Sequence, residues 1–292
     1  MALNKARLFA RIKHLELVSN KLVEGLMSGN YRSVFKGPGI EFSEVREYVE
    51  GDDTRLIDWN VTSRMNTAYT KTFREERELV LFLVADMSPS LFQTSGARSL
   101  REIAETIVAI FTFGAISNND QVGGVFFTDN IEHWVPPMKG KRHGFRLIQD
   151  FLSFQPKGKG SDLAKALRTT GEVLKRRGIV IVISDFKTTG YQRDLSLLAH
   201  RHDVIAVRLS STEEFDFPRV GLVTLTDPEM GRTITVSGEN QHFRMQYHEY
   251  WKNHRYQWLR ECRRRGVSPL EISAGEDPVA KLFQFFQRRK NR

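Results

Sequence analysis

Two apolar runs stand out from the amphipathic texture of the chain. Residues 79–85 (LVLFLVA) show no polar alternation and stop at Asp86, and residues 179–183 (IVIVI) stop in the same way at Ser184 and Asp185. Such short, unbroken runs, ended by polar turn residues, predict central parallel strands covered on both faces. Residues 4–27 instead carry Leu8, Ile12, Leu15, Val18, Leu22, Val23 and Leu26 at the helical period, so an amphipathic helix should lie on the body of the protein. Further helices are expected at about 96–116, 145–154, 163–177, 191–201, 239–265 and 278–289. Strands are expected at 68–73, 121–127, 131–135, 203–209, 220–226, 233–236 and 269–272. The Asp129–Asn130 turn makes 121–127 and 131–135 an antiparallel hairpin, and the sequence DPEMG at 227–231 turns a second one.

Strand and helix therefore alternate, which predicts an α/β fold: a doubly wound, mostly parallel sheet with an irregular N-terminal lobe and a helical C-terminal extension. Three regions follow. Residues 1–75 hold the first helix and a charged lobe, 76–210 the sheet core, and 211–292 a hairpin, a long helix and a closing strand and helix packed on that core. The lobe interleaves Arg32, Arg46, Arg55 and Arg64 with Glu41, Glu44, Glu47, Asp52, Asp53 and Asp58, and Gly37, Pro38 and Gly39 set a turn. Its acids and arginines are expected to pair with one another, with Trp59 anchoring it by burial.

A chain of 292 residues can bury about three quarters of its unfolded surface. The net charge of +9 makes acidic partners plausible, but the basic residues are scattered over 139–143, 263–265 and 288–292 without a nucleic-acid recognition motif. A solvated basic surface is the expectation, not a nucleic-acid interface. The single Cys262 excludes an internal disulfide, and the lack of an apolar leader points to a cytoplasmic, reducing compartment. No apolar run approaches the ~20 residues of a membrane span, so no integral membrane segment is expected.

Ligands of open α/β sheets sit beyond the carboxyl ends of strands where the strand order reverses, so Asp86 and Asp185 are expected to share one site. Asp86, Ser88 and Ser90 form D-x-S-x-S, a spacing that lets one tight loop turn three oxygen groups toward a point. Ser161, just before a helix, adds a hydroxyl. An oxygen-only set of this kind selects a hard cation: Mg²⁺, with Mn²⁺ or Ca²⁺ as alternatives. Three enzyme readings fall away. The GKGS at 158–161 lacks Walker A spacing and a preceding strand. A phosphatase that attacks with a strand-end aspartate needs a second Asp where Ser88 stands, which removes its general acid. His242, His248 and His254 recur every six residues and cannot share a helix face.

This metal-loop order resembles the metal-ion-dependent adhesion site of von Willebrand factor A domains, with Ser161 at the position of their downstream Thr and Asp185 at that of their later Asp. More specifically, the chain resembles the MoxR-associated von Willebrand A-like family, domain of unknown function fifty-eight. The matching segments are GIEFSEVREYVEGDDTRLIDWN at 39–60, the metal loop, GSDLAKAL at 160–167, VISDF at 182–186 and DPEMG at 227–231. The resemblance implies a non-enzymatic, metal-dependent adaptor whose partner is a MoxR-type AAA+ ATPase or an acidic protein client, acting in protein maturation or envelope stress. Any membrane tie would be peripheral, through a partner. A metal-dependent phosphohydrolase and a basic nucleic-acid-binding module remain the alternatives.

Overall fold

A computed structural model describes residues 5–26, 41–65, 67–74, 79–92, 94–95, 98–226 and 233–290. Arg32, the turn at 37–39 and the DPEMG turn lie outside the described residues. The chain divides into two compact units, residues 36–78 and the remainder. The helix α1 (Lys5–Leu26), grouped with the lobe in the sequence, belongs to the larger unit.

In the smaller unit, β1 (Glu41–Glu47) pairs antiparallel with β2 (Tyr69–Arg74), and α2 (Trp59–Met65) lies between them in sequence. The lobe is thus more regular than expected. Its acids act chiefly on backbone. Asp52 accepts the Val49 N–H at 3.0 Å and Arg46 Nη2 at 2.7 Å. Asp53 takes the Arg55 N–H, and Asp58 caps α2 by taking the N–H groups of Asn60 and Val61. Short polar side chains at such positions satisfy donors that a helix start leaves free. Lys71 lies 3.4 Å from Asp58, whereas Arg55 is 90 % exposed and 3.9 Å from Asp53. Trp59 is 70 % exposed, so it does not anchor the lobe by burial.

The larger unit is built on β3 (Val80–Asp86), every residue of which is buried. The hairpin β4 (Thr94–Ser95) and β5 (Arg98–Ser99) leads into α3 (Leu100–Ser117). Then come β6 (Gln121–Phe127), β7 (Ile131–Met138), α4 (Lys141–Ser153), α5 (Leu163–Val173) and β8 (Ile179–Ser184). After α6 (Gln192–Arg201) and β9 (Asp203–Ser210), the hairpin of β10 (Leu222–Thr226) and β11 (Thr233–Ser237) precedes α7 (Gln241–Arg264), β12 (Ser268–Ser273) and α8 (Pro278–Lys290). The six-stranded sheet runs β12-β9-β8-β3-β6-β7 and is parallel except at the β7 edge.

Alternation along β3 divides the core. Leu81, Leu83 and Ala85 pack with α3, α4 and α8; Val80, Phe82 and Val84 pack with α5, α6 and α7. The fold is doubly wound, as expected. Leu8, Ile12 and Leu15 of α1 form a further layer on Ala109, Phe113, Ile148 and Leu152 of α3 and α4. Cys262 is buried on α7, and burial pushes its thiol up to about 12, so it acts as an apolar filler.

Some boundaries differ from expectation for local reasons. β7 continues through Pro136 and Pro137 because an edge strand tolerates missing N–H groups, and a bulge between Val122 and Gly124 absorbs the irregularity. α5 ends at Val173 instead of 177: Leu174 is extended and buried, and Gly178 lies so close to β3 that a Cβ there would be 2.5 Å from the Val80 carbonyl oxygen. The other edge, β12, is closed to further strands at two positions. Pro269 has no N–H, and the Ser273 N–H donates to Glu276 at 3.0 Å.

The lobe geometry separates capping from surface pairing. Asp58→Ala should lower its unfolding free energy by about 0.5–2 kcal/mol, whereas Arg55→Ala should change it by less than about 0.5 kcal/mol. Denaturant melts of the two variants decide; equal losses would contradict the capping role.

Candidate functional site

β3 connects through α3 to β6 on one side, and the chain later returns to β8 on the other, so the strand order reverses between β3 and β8. Asp86 ends β3 and Asp185 follows β8 at the same carboxyl edge. Both carboxylates are buried. The Asp86 carboxylate uses three of its roughly four acceptor positions on groups from two loops and the end of β8. Oδ1 accepts the Ser88 N–H at 2.8 Å; Oδ2 accepts the hydroxyls of Ser161 at 2.8 Å and Ser184 at 2.7 Å. Ser88 and Ser90 are buried beside it, their hydroxyl oxygens 3.1 Å apart. All five expected residues therefore lie at this edge, with Asp86, Ser88, Ser90 and Ser161 joined directly by hydrogen bonds.

Each loop has its own fastening. Arg101, buried on α3, donates to the Phe151 carbonyl at 2.6 Å and stacks on Phe92 and Phe151, which pins the Ser88–Ser90 loop against α4. The Ser161 loop is held by Glu132. Its carboxylate accepts the N–H groups of Lys157 and Gly158, each at 2.8 Å, and the Thr128 hydroxyl at 2.5 Å. A Cβ at Gly158 would collide with Thr128 and Asp129, so the loop can approach the turn after β6 only without a side chain there. Asp162 then donates its N–H to the Thr128 carbonyl at 2.8 Å and caps α5 through Lys165 N–H. The Asp185 corner is turned by Phe186 at φ +54°, a left-handed conformation that is rare outside Gly and is secured here by a buried ring packed on Tyr191 and Trp258.

Asp185 Oδ1 accepts the Lys187 N–H at 3.2 Å, but its buried Oδ2 has no hydrogen-bond partner. Lys187 Nζ is 3.9 Å from that oxygen and 3.0 Å from Glu214 Oε1, and it lies over the Trp251 ring. Burial works against the Lys187 charge, yet Glu214 and Asp185 outweigh it and hold the ammonium above its ordinary range. Glu214 also meets Arg208 at 2.6 Å, and Arg208 meets Glu271 at 2.5 Å. Neither Ser184 nor this buried ion chain was found by sequence reasoning. Ser184 was visible as a polar strand end, but the partner of its hydroxyl depends on how β8 registers against β3. Lys187, Arg208, Glu214 and Glu271 carry no motif spacing.

The oxygen-rich cluster and the orphaned Asp185 Oδ2 fit a hard cation, which Asp86, Ser88, Ser90, Ser161 and Asp185 would hold. The basic loops divide between the two edges of the sheet. Lys157 and Lys159 follow the carboxyl edge, but β7 runs antiparallel and returns the chain, so Lys139, Lys141 and Arg142 fall at the opposite edge, where Lys141 lies 3.5 Å from Glu16 of α1.

A doubly wound α/β domain with an acid and hydroxyl cluster at its switch point is the class that fold and site define. Residues 44–257 match the family described as protein of unknown function DUF58, and the chain belongs to that family. Uncharacterized protein Rv1480 of Mycobacterium tuberculosis is 29% identical over 287 residues, covering 97% of this chain and 90% of that protein. Uncharacterized protein MAV169 of Mycobacterium avium is 28% identical over 158 residues, 53% of this chain and 93% of that protein. Among solved structures, the conserved hypothetical protein BatB from Bacteroides thetaiotaomicron aligns at a TM-score of 0.46 and 13% identity, over 73% of this chain and 100% of that one. The SpRpn10 VWA domain aligns at 0.42 and 10%, over 70% and 94%. Among the described residues no helix is long and apolar enough to cross a membrane.

Burial, and then the charge of Asp185, push the Asp86 carboxyl from 3.8 up to about 6, against the hydrogen bonds from Ser88 and Ser184. The folded state then holds this proton more tightly than the unfolded chain. The stabilising contribution is full below about pH 4 and is lost as pH rises through about 6, by up to roughly 3 kcal/mol. In EDTA, the unfolding free energy of wild type relative to Asp86→Asn should therefore drop between pH 4 and 7. A difference independent of pH would show that Asp86 titrates normally. Glu132→Ala should cost about 1.5–3 kcal/mol, because two backbone N–H groups and a hydroxyl lose a charged acceptor. Hydrogen exchange should rise at Lys157 and Gly158 in that variant; unchanged protection there would mean that the loop is held by something else.

Proposed function

We propose that this chain is a metal-dependent protein-binding adaptor whose site takes Mg²⁺, or in its place Mn²⁺ or Ca²⁺, and is completed by an acidic side chain of a partner. The observation that carries the reading is the convergence of Asp86, Ser88, Ser90 and Ser161 at the switch point beside a buried Asp185 oxygen without a hydrogen-bond partner. A bound cation would supply a coordination position for an external carboxylate. The protein offers it few formal charges. Asp86 and Asp185 bring two carboxylates, and Lys187 already shares Asp185, so little negative charge is left to hold a divalent ion tightly. A third carboxylate, from the partner, would complete the shell.

The resemblance of the metal loop and the GDD and IDW block to MoxR-associated proteins supplies the candidate partner, a MoxR-type AAA+ ATPase or an acidic client presented to it. Lys157 and Lys159, near the Ser161 loop, would accelerate encounter with such a surface and make it salt-sensitive, while the carboxylate contact would govern dissociation. The test is a titration of the chain against a MoxR-type ATPase from the same organism, in Mg²⁺ and in EDTA. Binding should weaken at least about tenfold in EDTA, and Asp86→Ala should remove the difference while the protein stays folded by circular dichroism. Equal affinity in both conditions, by folded protein, overturns the reading.

A further inference from the structure

The Asp185 corner carries a cation of its own. Phe186 sets the direction in which the chain leaves Asp185, because its left-handed conformation is secured by a buried ring packed on Tyr191 and Trp258. Lys187 follows, and its ammonium lies 3.0 Å from Glu214 Oε1, 3.9 Å from Asp185 Oδ2 and 5.0 Å from the centre of the Trp251 ring. The Asp185 and Glu214 side chains are 3 % and 2 % exposed and that of Lys187 is 36 % exposed, so the lysine is the member of the trio that meets solvent.

Two buried carboxylates thus share one ammonium. Arg208 already meets the second oxygen of Glu214 at 2.6 Å, so Glu214 alone does not discharge Lys187. Arg208 and Arg255 both reach Glu271. Asp185, Glu214 and Glu271 therefore stand against Lys187, Arg208 and Arg255 one for one, and this network is electrically closed without a further cation. At 3.9 Å the contact of Lys187 with Asp185 Oδ2 is too long for a hydrogen bond. That oxygen consequently keeps its lone pairs, with no hydrogen-bond partner, while a neighbouring positive charge opposes any second cation there. A divalent ion at the site would draw on Asp185 only in competition with Lys187.

We propose that Lys187 is a tethered competitor for the divalent cation: its ammonium takes part of the charge of Asp185 and thereby sets how weakly the Asp86 site holds the ion. This rests on the cation reading above and adds to it the residue that governs affinity. Glu214 acts in the opposite sense, by drawing the ammonium off Asp185. With Lys187 in place, a partner's carboxylate supplies the charge that the lysine withdraws. Without it, Asp185 offers its whole charge and the site takes the ion unaided.

The experiment is a titration of the full chain with Mn²⁺, the free ion being read by electron paramagnetic resonance, in wild type and in Lys187→Met, Lys187→Arg and Glu214→Gln, with no partner present. Lys187→Met keeps an apolar stem but no charge, and should tighten Mn²⁺ at least about tenfold. Adding Asp86→Ala should abolish that binding, which assigns it to the site. Lys187→Arg keeps the charge and should show no such gain. Glu214→Gln leaves Lys187 with Asp185 as its remaining acid and should weaken Mn²⁺. A lysine that only braced the corner would give one direction in both Lys187→Met and Glu214→Gln, since each leaves a buried charge unpaired. Lys187→Gln repeats the comparison should Lys187→Met not fold. Mn²⁺ affinity equal to or weaker than wild type in the neutral variants, with binding still lost on Asp86→Ala, overturns the proposal and leaves the cation site standing. Absence of saturable, Asp86-dependent Mn²⁺ binding in wild type and the neutral variants alike overturns the cation reading, and the proposal with it.

Discussion

A carboxylate at the end of a fully buried strand has to be solvated by the protein, and Asp86 sets that demand for the larger unit. Leaving such a group unsatisfied in an apolar interior would cost several kcal/mol, so two loops and a neighbouring strand end deliver donors to it. The Ser88 N–H comes from its own loop, Ser184 from β8 and Ser161 from the turn before α5. These bonds tie together the two strands at which the sheet reverses direction. Burial, and then the charge of Asp185, outweigh these hydrogen bonds and bias the carboxyl toward its proton.

The positive charge of the neighbourhood is kept one residue position further out. Lys187 connects Asp185 to Glu214, Glu214 connects to Arg208, and Arg208 to Glu271, which Arg255 of α7 also reaches. Buried ion pairs seldom add net stability, but removing one member leaves its partner uncompensated at a cost of about 3–5 kcal/mol. The chain of charges therefore fixes the relative placement of the β8 corner, β9, β12 and α7 more than it strengthens the fold.

The two edges of the sheet are chemically unlike. At the carboxyl edge the strand ends converge on acids and hydroxyls. At the amino edge the ends of α5 and α6 leave Arg177 and Arg201 beside His202. Parallel strands impose this division: every crossover returns the chain to the same starting edge, so residues just before strands collect at one end and residues just after them at the other.

Binary pattern alone was enough to read the two buried strands, the order of most helices and the doubly wound class, and motif spacing at the strand ends was enough to single out Asp86, Ser88, Ser90, Ser161 and Asp185 as residues of one edge. A run buried on both faces has to be apolar throughout, and a strand-end polar group shows as a break in that run. What the sequence left open was decided by contacts between distant segments. Ser184 looked no different from any strand-end serine until β8 lay beside β3. Lys139, Lys141 and Arg142 stand in sequence between the turn after β6 and the Ser161 loop, yet an antiparallel β7 carries them to the other edge. Trp59 looked like an anchor by its size, but its exposure depends on which way the first turn of α2 faces. His202 and Lys187 have no spacing signature, because their partners come from other elements and periodicity records only which face a residue occupies, not what lies opposite it.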